Sequence, residues 1–137
     1  MHEDVLVVVE GQQRDINDDI IIKRSKGSYC LKNTKEYIRY IENDENGNKT
    51  NVILKIEKDN IKIIKKGAID TTMYFCVDEY IQVEYRTKLI DLLFEIYTYE
   101  IIIIRKNEGI NVKIKYDLLA NSKKISSNSI NINITNL

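Results

Sequence analysis

The sequence predicts one all-β domain, a single up-and-down antiparallel β-barrel of about eight to ten strands. Three observations carry that reading. Apolar and polar residues alternate with a period of two along most of the 137 residues, the pattern of a sheet with one dry and one wet face. Residues that tolerate positive φ punctuate the alternating runs at short intervals. The run at residues 99–104, YEIIII, is apolar and β-branched, a hazardous edge unless a closed sheet or a sandwich centre covers both its sides.

The alternation places strands at residues 3–11, 18–25, 28–32, 36–43, 50–57, 60–66, 69–76, 79–87, 93–104, 109–118 and 125–134, several of them halves of one bent strand. Val52, Leu54 and Ile56 share a face opposed to Asn51, Lys55 and Glu57. Ile81, Val83 and Tyr85 alternate with Gln82 and Glu84, and Val112, Ile114, Tyr116 and Leu118 with Asn111, Lys113, Lys115 and Asp117. Ile130, Ile132 and Ile134 against Asn131 and Asn133 make the asparagine-rich tail a last strand rather than a low-complexity segment. Asn33-Thr34, Asn46-Gly47, Asp59-Asn60 and Asn107-Glu108-Gly109 mark hairpins, and glycines 11, 27, 47, 67 and 109 read as boundaries or kinks. At residues 87–97, Leu89, Leu92, Leu93 and Ile96 also fit helical spacing, so a helical turn competes with a strand there.

The size suits one domain, residues 1–137, able to bury about two thirds of its unfolded surface. Twenty-one basic residues balance 21 acidic ones, so no net field favours nucleic acid or an anionic membrane. The small clusters Lys62, Lys65, Lys66 and Lys123-Lys124 do not change this. The acidic start lacks a cleavage site, which argues against a signal peptide. Residues 101–104, like the other apolar runs, are far too short for a spanning helix, so the cytosol is the expected compartment. Cys30 and Cys76, far from any CxxC spacing, are expected to be buried free thiols.

The order "SKGSYCLKNTKEYIRYIEN", "TNVILKIEKDNIKIIKKG", "MYF", "YRT" and "GINVKIKYDL" resembles the YwiB-like family, bacterial β-barrels of unknown function in the calycin superfamily. The resemblance runs from about residue 4 to 134 and rests on the spacing of five weak motifs. It implies a lipocalin-like closed barrel and hands over no reaction. The chain departs from the family at Lys88, Leu89 and Ile90, where a proline and a glycine are usual. It departs again at Lys65, where an arginine is common, and at Val77-Asp78, where a glycine often follows the phenylalanine.

An eight-stranded barrel is filled by side chains or encloses one small ligand, and the sequence leaves both open. Polar residues on otherwise apolar faces point to the second. Glu42 continues the face of Ile38 and Tyr40, Lys65 that of Ile61 and Ile63, Thr87 that of Tyr85, and Thr98 that of Phe94 and Ile96. Inward-facing Glu42 and Lys65 would have to pair with each other, with tyrosine hydroxyls or with water. Tyr40, Glu42, Lys65, Tyr85, Thr87 and Tyr116 are therefore the candidate ligand-binding set, and the guest is a small, partly apolar molecule. The alternative is a solidly packed barrel serving protein–protein or self-association, as a monomer or homodimer.

Catalysis lacks its parts. The one histidine, His2, is terminal, which removes histidine-based acid/base chemistry, a Ser/His/Asp arrangement and a histidine-rich metal site. Asp18-Asp19 and Asp78-Glu79 are adjacent acids that point to opposite faces of a strand. No glycine-rich phosphate loop is present. The chain reads as a non-enzyme with no cofactor and no metal.

Overall fold

The computed structural model describes residues 1–14 and 19–137. Among them are ten strands and no helix: β1 (Asp4–Gln13), β2 (Ile20–Lys32), β3 (Lys35–Asn43), β4 (Lys49–Ile56), β5 (Ile61–Gly67), β6 (Asp70–Phe75), β7 (Tyr80–Arg86), β8 (Asp91–Lys106), β9 (Gly109–Ala120) and β10 (Lys123–Asn136). Each strand pairs antiparallel with its sequence neighbours, and β1 closes on β10 from Val5↔Asn136 to Gln13↔Asn128. The barrel therefore has no free flank along that closure, and β8, which contains the YEIIII run, lies between β7 and β9.

Antiparallel alternation sorts the connections into two ends. The β1–β2, β3–β4, β5–β6, β7–β8 and β9–β10 hairpins lie at one end, here termed the mouth. The other four connections lie at the far end with both termini, where the Leu137 amide donates to the Asp4 carbonyl at 3.0 Å. Two far-end and mouth turns use positive φ at non-glycine pairs: Asn33 (52°) and Thr34 (67°), and Asn121 (52°) and Ser122 (64°). Two-residue loops of this hand match strand twist, and β-branched Thr34 is strained there.

The runs expected at 18–25 and 28–32 are one strand, β2. Residue 18, and with it one member of the Asp18-Asp19 pair, lies outside the described residues. Gly27 sits inside β2 rather than at a boundary, opposite Tyr40. A β carbon there would lie 2.6 Å from the Arg39 carbonyl oxygen and 3.2 Å from Tyr40 Cβ, so only glycine admits the tyrosine against this stretch of wall. Gly11 is also mid-strand, between Ile130 and Ile21. Residues 87–97 form no helical turn. From Asp91 onward they belong to β8, because Phe94↔Val83 on one side and Ile96↔Leu118 on the other supply ladders that a helix would forfeit. A register shift between Thr98 and Glu100 then resets the alternation, so Ile101 and Ile103 pack inward while Ile102 and Ile104 stay exposed.

The core lies inside the barrel: Val5, Val7, Ile38, Leu54, Ile56, Ile61, Phe75, Ile96, Val112, Ile114, Ile132 and Ile134. Each such side chain contributes about 1.5–3 kcal/mol. Inward residues on the mouth side, namely Val9, Met73, Tyr116, Leu118 and Ile130, remain only half-buried. The wall is uneven. β6 and β7 are in register at just two positions, Asp70↔Arg86 and Thr71↔Tyr85, and the chain turns through Val77, which bridges to Thr98. Both cysteines are free. Cys76 is buried as expected, but Cys30 is exposed, facing outward from β2 with Tyr29 and Leu31 on the opposite face. No helix among the described residues is long and apolar enough to cross a membrane.

Candidate functional site

The mouth carries a charged group on the inner wall. Glu42, next to last in β3, follows Ile38 and Tyr40 on the inward face, and Lys65 does the same on β5 after Ile61 and Ile63. Their side chains are 12% and 23% exposed and meet at 3.0 Å, Lys65 Nζ to Glu42 Oε1. The other carboxylate oxygen takes Lys23 Nζ from β2, also at 3.0 Å. Burial alone would raise the Glu42 carboxyl, yet the two ammonium groups outweigh it and hold the pKa below the usual carboxylate value. Tyr40, buried beside Glu42, has its hydroxyl pushed well up, first by burial and then by the neighbouring carboxylate. It is a neutral phenol at physiological pH.

A cavity of about 680 Å³ opens at this end, between the β3–β4, β5–β6 and β7–β8 hairpins. Glu42, Lys23 and Thr50 form its charged and polar wall, Tyr85 and Thr87 its β7 side, and Ile69 and Leu89 its apolar lip. Gly67 at its edge has φ +137° and would place a β carbon 2.5 Å from the Lys49 carbonyl oxygen. That close approach joins the β3–β4 and β5–β6 hairpins and needs glycine.

Of the six candidate residues, Glu42 and Lys65 are in direct contact, Tyr40 neighbours them, and Tyr85 shares the cavity. Thr87 lines it too, but its hydroxyl accepts from the Leu89 and Ile90 amides at 3.3 and 3.1 Å, so it also fastens the β7–β8 turn. Tyr116 stands apart. It packs edge-on against Phe75 across the barrel, with ring centroids 5.2 Å apart, and burial raises its hydroxyl to about 12. Thr98 is also inward and 1% exposed, and its hydroxyl has no partner among the described residues.

Two features escaped the sequence reading. Lys23 completes the charged group, but it sits in a run, IIIKRSK, without clean alternation. At the far end a second buried carboxylate, Glu36, accepts from the Tyr29 hydroxyl at 2.7 Å and pairs with Arg105. Burial and then that hydrogen bond raise the Tyr29 phenol to about 12. Glu36 shares the face of Ile38, Tyr40 and Glu42, so the same rule that found Glu42 points to it. Arg105 became inward only through the register shift in β8.

Residues 7–132 match the family model described as a domain of unknown function, DUF1934. The chain belongs to the DUF1934 family. A solved structure, the crystal structure of ywiB protein from Bacillus subtilis, superposes with a TM-score of 0.87 at 20% identity, covering 98% of this chain and 92% of that one. At that identity the likeness establishes the fold. No curated protein matches this DUF1934 chain. Among its described residues, no group of three or more His, Cys, Asp or Glu is placed to hold a metal ion.

Proposed function

We propose that this DUF1934 barrel is a non-catalytic binding protein that takes a small, partly apolar molecule into its mouth. The observation that carries the reading is the Lys23–Glu42–Lys65 group, its carboxylate largely buried on the inner wall and Lys23 at the solvent-exposed rim, beside an open cavity of about 680 Å³. Even a partly buried carboxylate is seldom the most stable filling of a wall, since apolar residues of similar volume match or better it. An ionic group beside open space therefore supports recognition of a polar head. Ile69 and Leu89 at the lip offer contact for an apolar part. A closed up-and-down barrel open at one end also supports placing the family among the calycins. The reading takes the protein to be cytosolic, a monomer or homodimer, without a cofactor and without nucleic-acid or membrane partners.

Self-association is a second reading, supported by the exposed apolar side chains Ile21, Leu89, Ile90 and Leu93 at mouth-end hairpins. Native mass spectrometry of protein purified gently from its own host, compared with the denatured mass, separates the two. A retained small molecule supports binding. A dimeric mass with no adduct supports association and removes the binding reading.

A further inference from the structure

The ionisable groups around the mouth cavity are unequal in number and in availability. Lys23, Lys49 and Lys88 line it with Glu42 and Asp44, and Lys65 joins them through Glu42. Three lysines thus line the cavity against two acids, and both acids are occupied. Each Glu42 oxygen already holds one ammonium group. Asp44 is turned into its own hairpin, where Oδ1 accepts from the Asn46 and Asn48 amides at 2.9 and 2.8 Å and Oδ2 accepts from Asn48 Nδ2 at 3.2 Å. Lys49 and Lys88 form no ion pair with any described residue, and Lys23 and Lys65 each keep two of three N–H donors beyond Glu42.

We infer that the guest of this mouth is an anionic amphiphile, with a carboxylate or other oxyanion as its head. The inference rests on the binding reading above. A cationic head would meet an excess of like charge, and its natural acceptors, the two carboxylates, are already bonded. A neutral head can accept from the ammonium donors but brings no charge to match theirs. An oxyanion satisfies those donors with charge-assisted hydrogen bonds, while Ile69, Leu89 and the Tyr85 ring offer apolar surface to the rest of the molecule.

The test is isothermal titration calorimetry of the full chain at neutral pH and low salt with decanoate, decanol and decylammonium, below their aggregation concentrations. Decanoate is expected to bind about tenfold more tightly than decanol, with decylammonium weakest. Added salt should narrow the gap. The Lys49→Met/Lys88→Met double variant, altered at exposed positions without partners, should lose most of the decanoate advantage. Decanol equal to decanoate, or decylammonium tighter than either, overturns the anionic assignment and leaves binding standing. If none of the three binds, the binding reading falls as well.

Discussion

The charged group in the mouth makes an asymmetric prediction for its members. At an effective dielectric near 20, opposite charges 3.0 Å apart attract by about 5 kcal/mol, most of which offsets desolvation. Glu42→Gln removes a carboxylate shared by two ammonium groups, one of them on a side chain only 23% exposed. The expected loss is about 2–3 kcal/mol, below the range for a fully buried pair because solvent reaches both lysines. Lys65→Met leaves Glu42 with Lys23 and puts a side chain of similar volume against Ile63 and Val52, so it should cost less than about 1 kcal/mol. In the double variant the orphaned ammonium on β5 is gone, and the loss should fall below that of Glu42→Gln alone. Urea unfolding followed by circular dichroism gives all three values, with m unchanged if the transition stays two-state. If Lys65→Met costs as much as Glu42→Gln, or if the single losses simply add in the double variant, the shared-carboxylate account is wrong.

Other expectations follow from particular positions. Gly27→Ala should destabilise by about 1–3 kcal/mol, because the new methyl meets the rigid Arg39 carbonyl at 2.6 Å; a thermal melt reads it. Thr34→Gly should stabilise by about 0.5–1 kcal/mol in the same assay, since glycine relieves a β-branched residue at φ 67° and loses some of that gain to unfolded-state entropy. Acid should act through Glu42. Its folded carboxyl titrates below the ordinary 4.5, so the folded state binds fewer protons there than the unfolded chain does. That contribution is complete above the ordinary value and fades as the pH falls through the folded one. Below about pH 5 the parent protein should therefore lose stability more steeply than Glu42→Gln, measured by urea midpoints across the acid range.

Much of this fold was legible because a half-buried strand writes its inner face at every second residue. β4, β7, β9 and β10 read directly, and so did Glu42 and Lys65, as breaks in otherwise apolar faces. What the alternation could not carry was long-range register. The shift at Thr98 and Glu100 turns Arg105 inward, and nothing local announces it. Lys23 depends on how β2 slides against β3, which the irregular IIIKRSK run leaves open. Tyr116 was placed on the correct face but in the wrong company, because which residue lies across a barrel is set by closure and tilt. Residues 87–97 looked helical because a hairpin tip exposes apolar residues, Leu89 above all, that have no periodic partner.

The two-rung contact between β6 and β7 has a consequence for how the barrel breathes. Every other adjacent pair is stitched over a longer ladder, so this slit is where opening the stave wall breaks the fewest bonds. Deuterium should enter there first, at those amides of residues 72–75 and 81–83 that face the slit rather than β5 or β8, while the β8–β9–β10 ladders retain protons until the whole molecule comes apart.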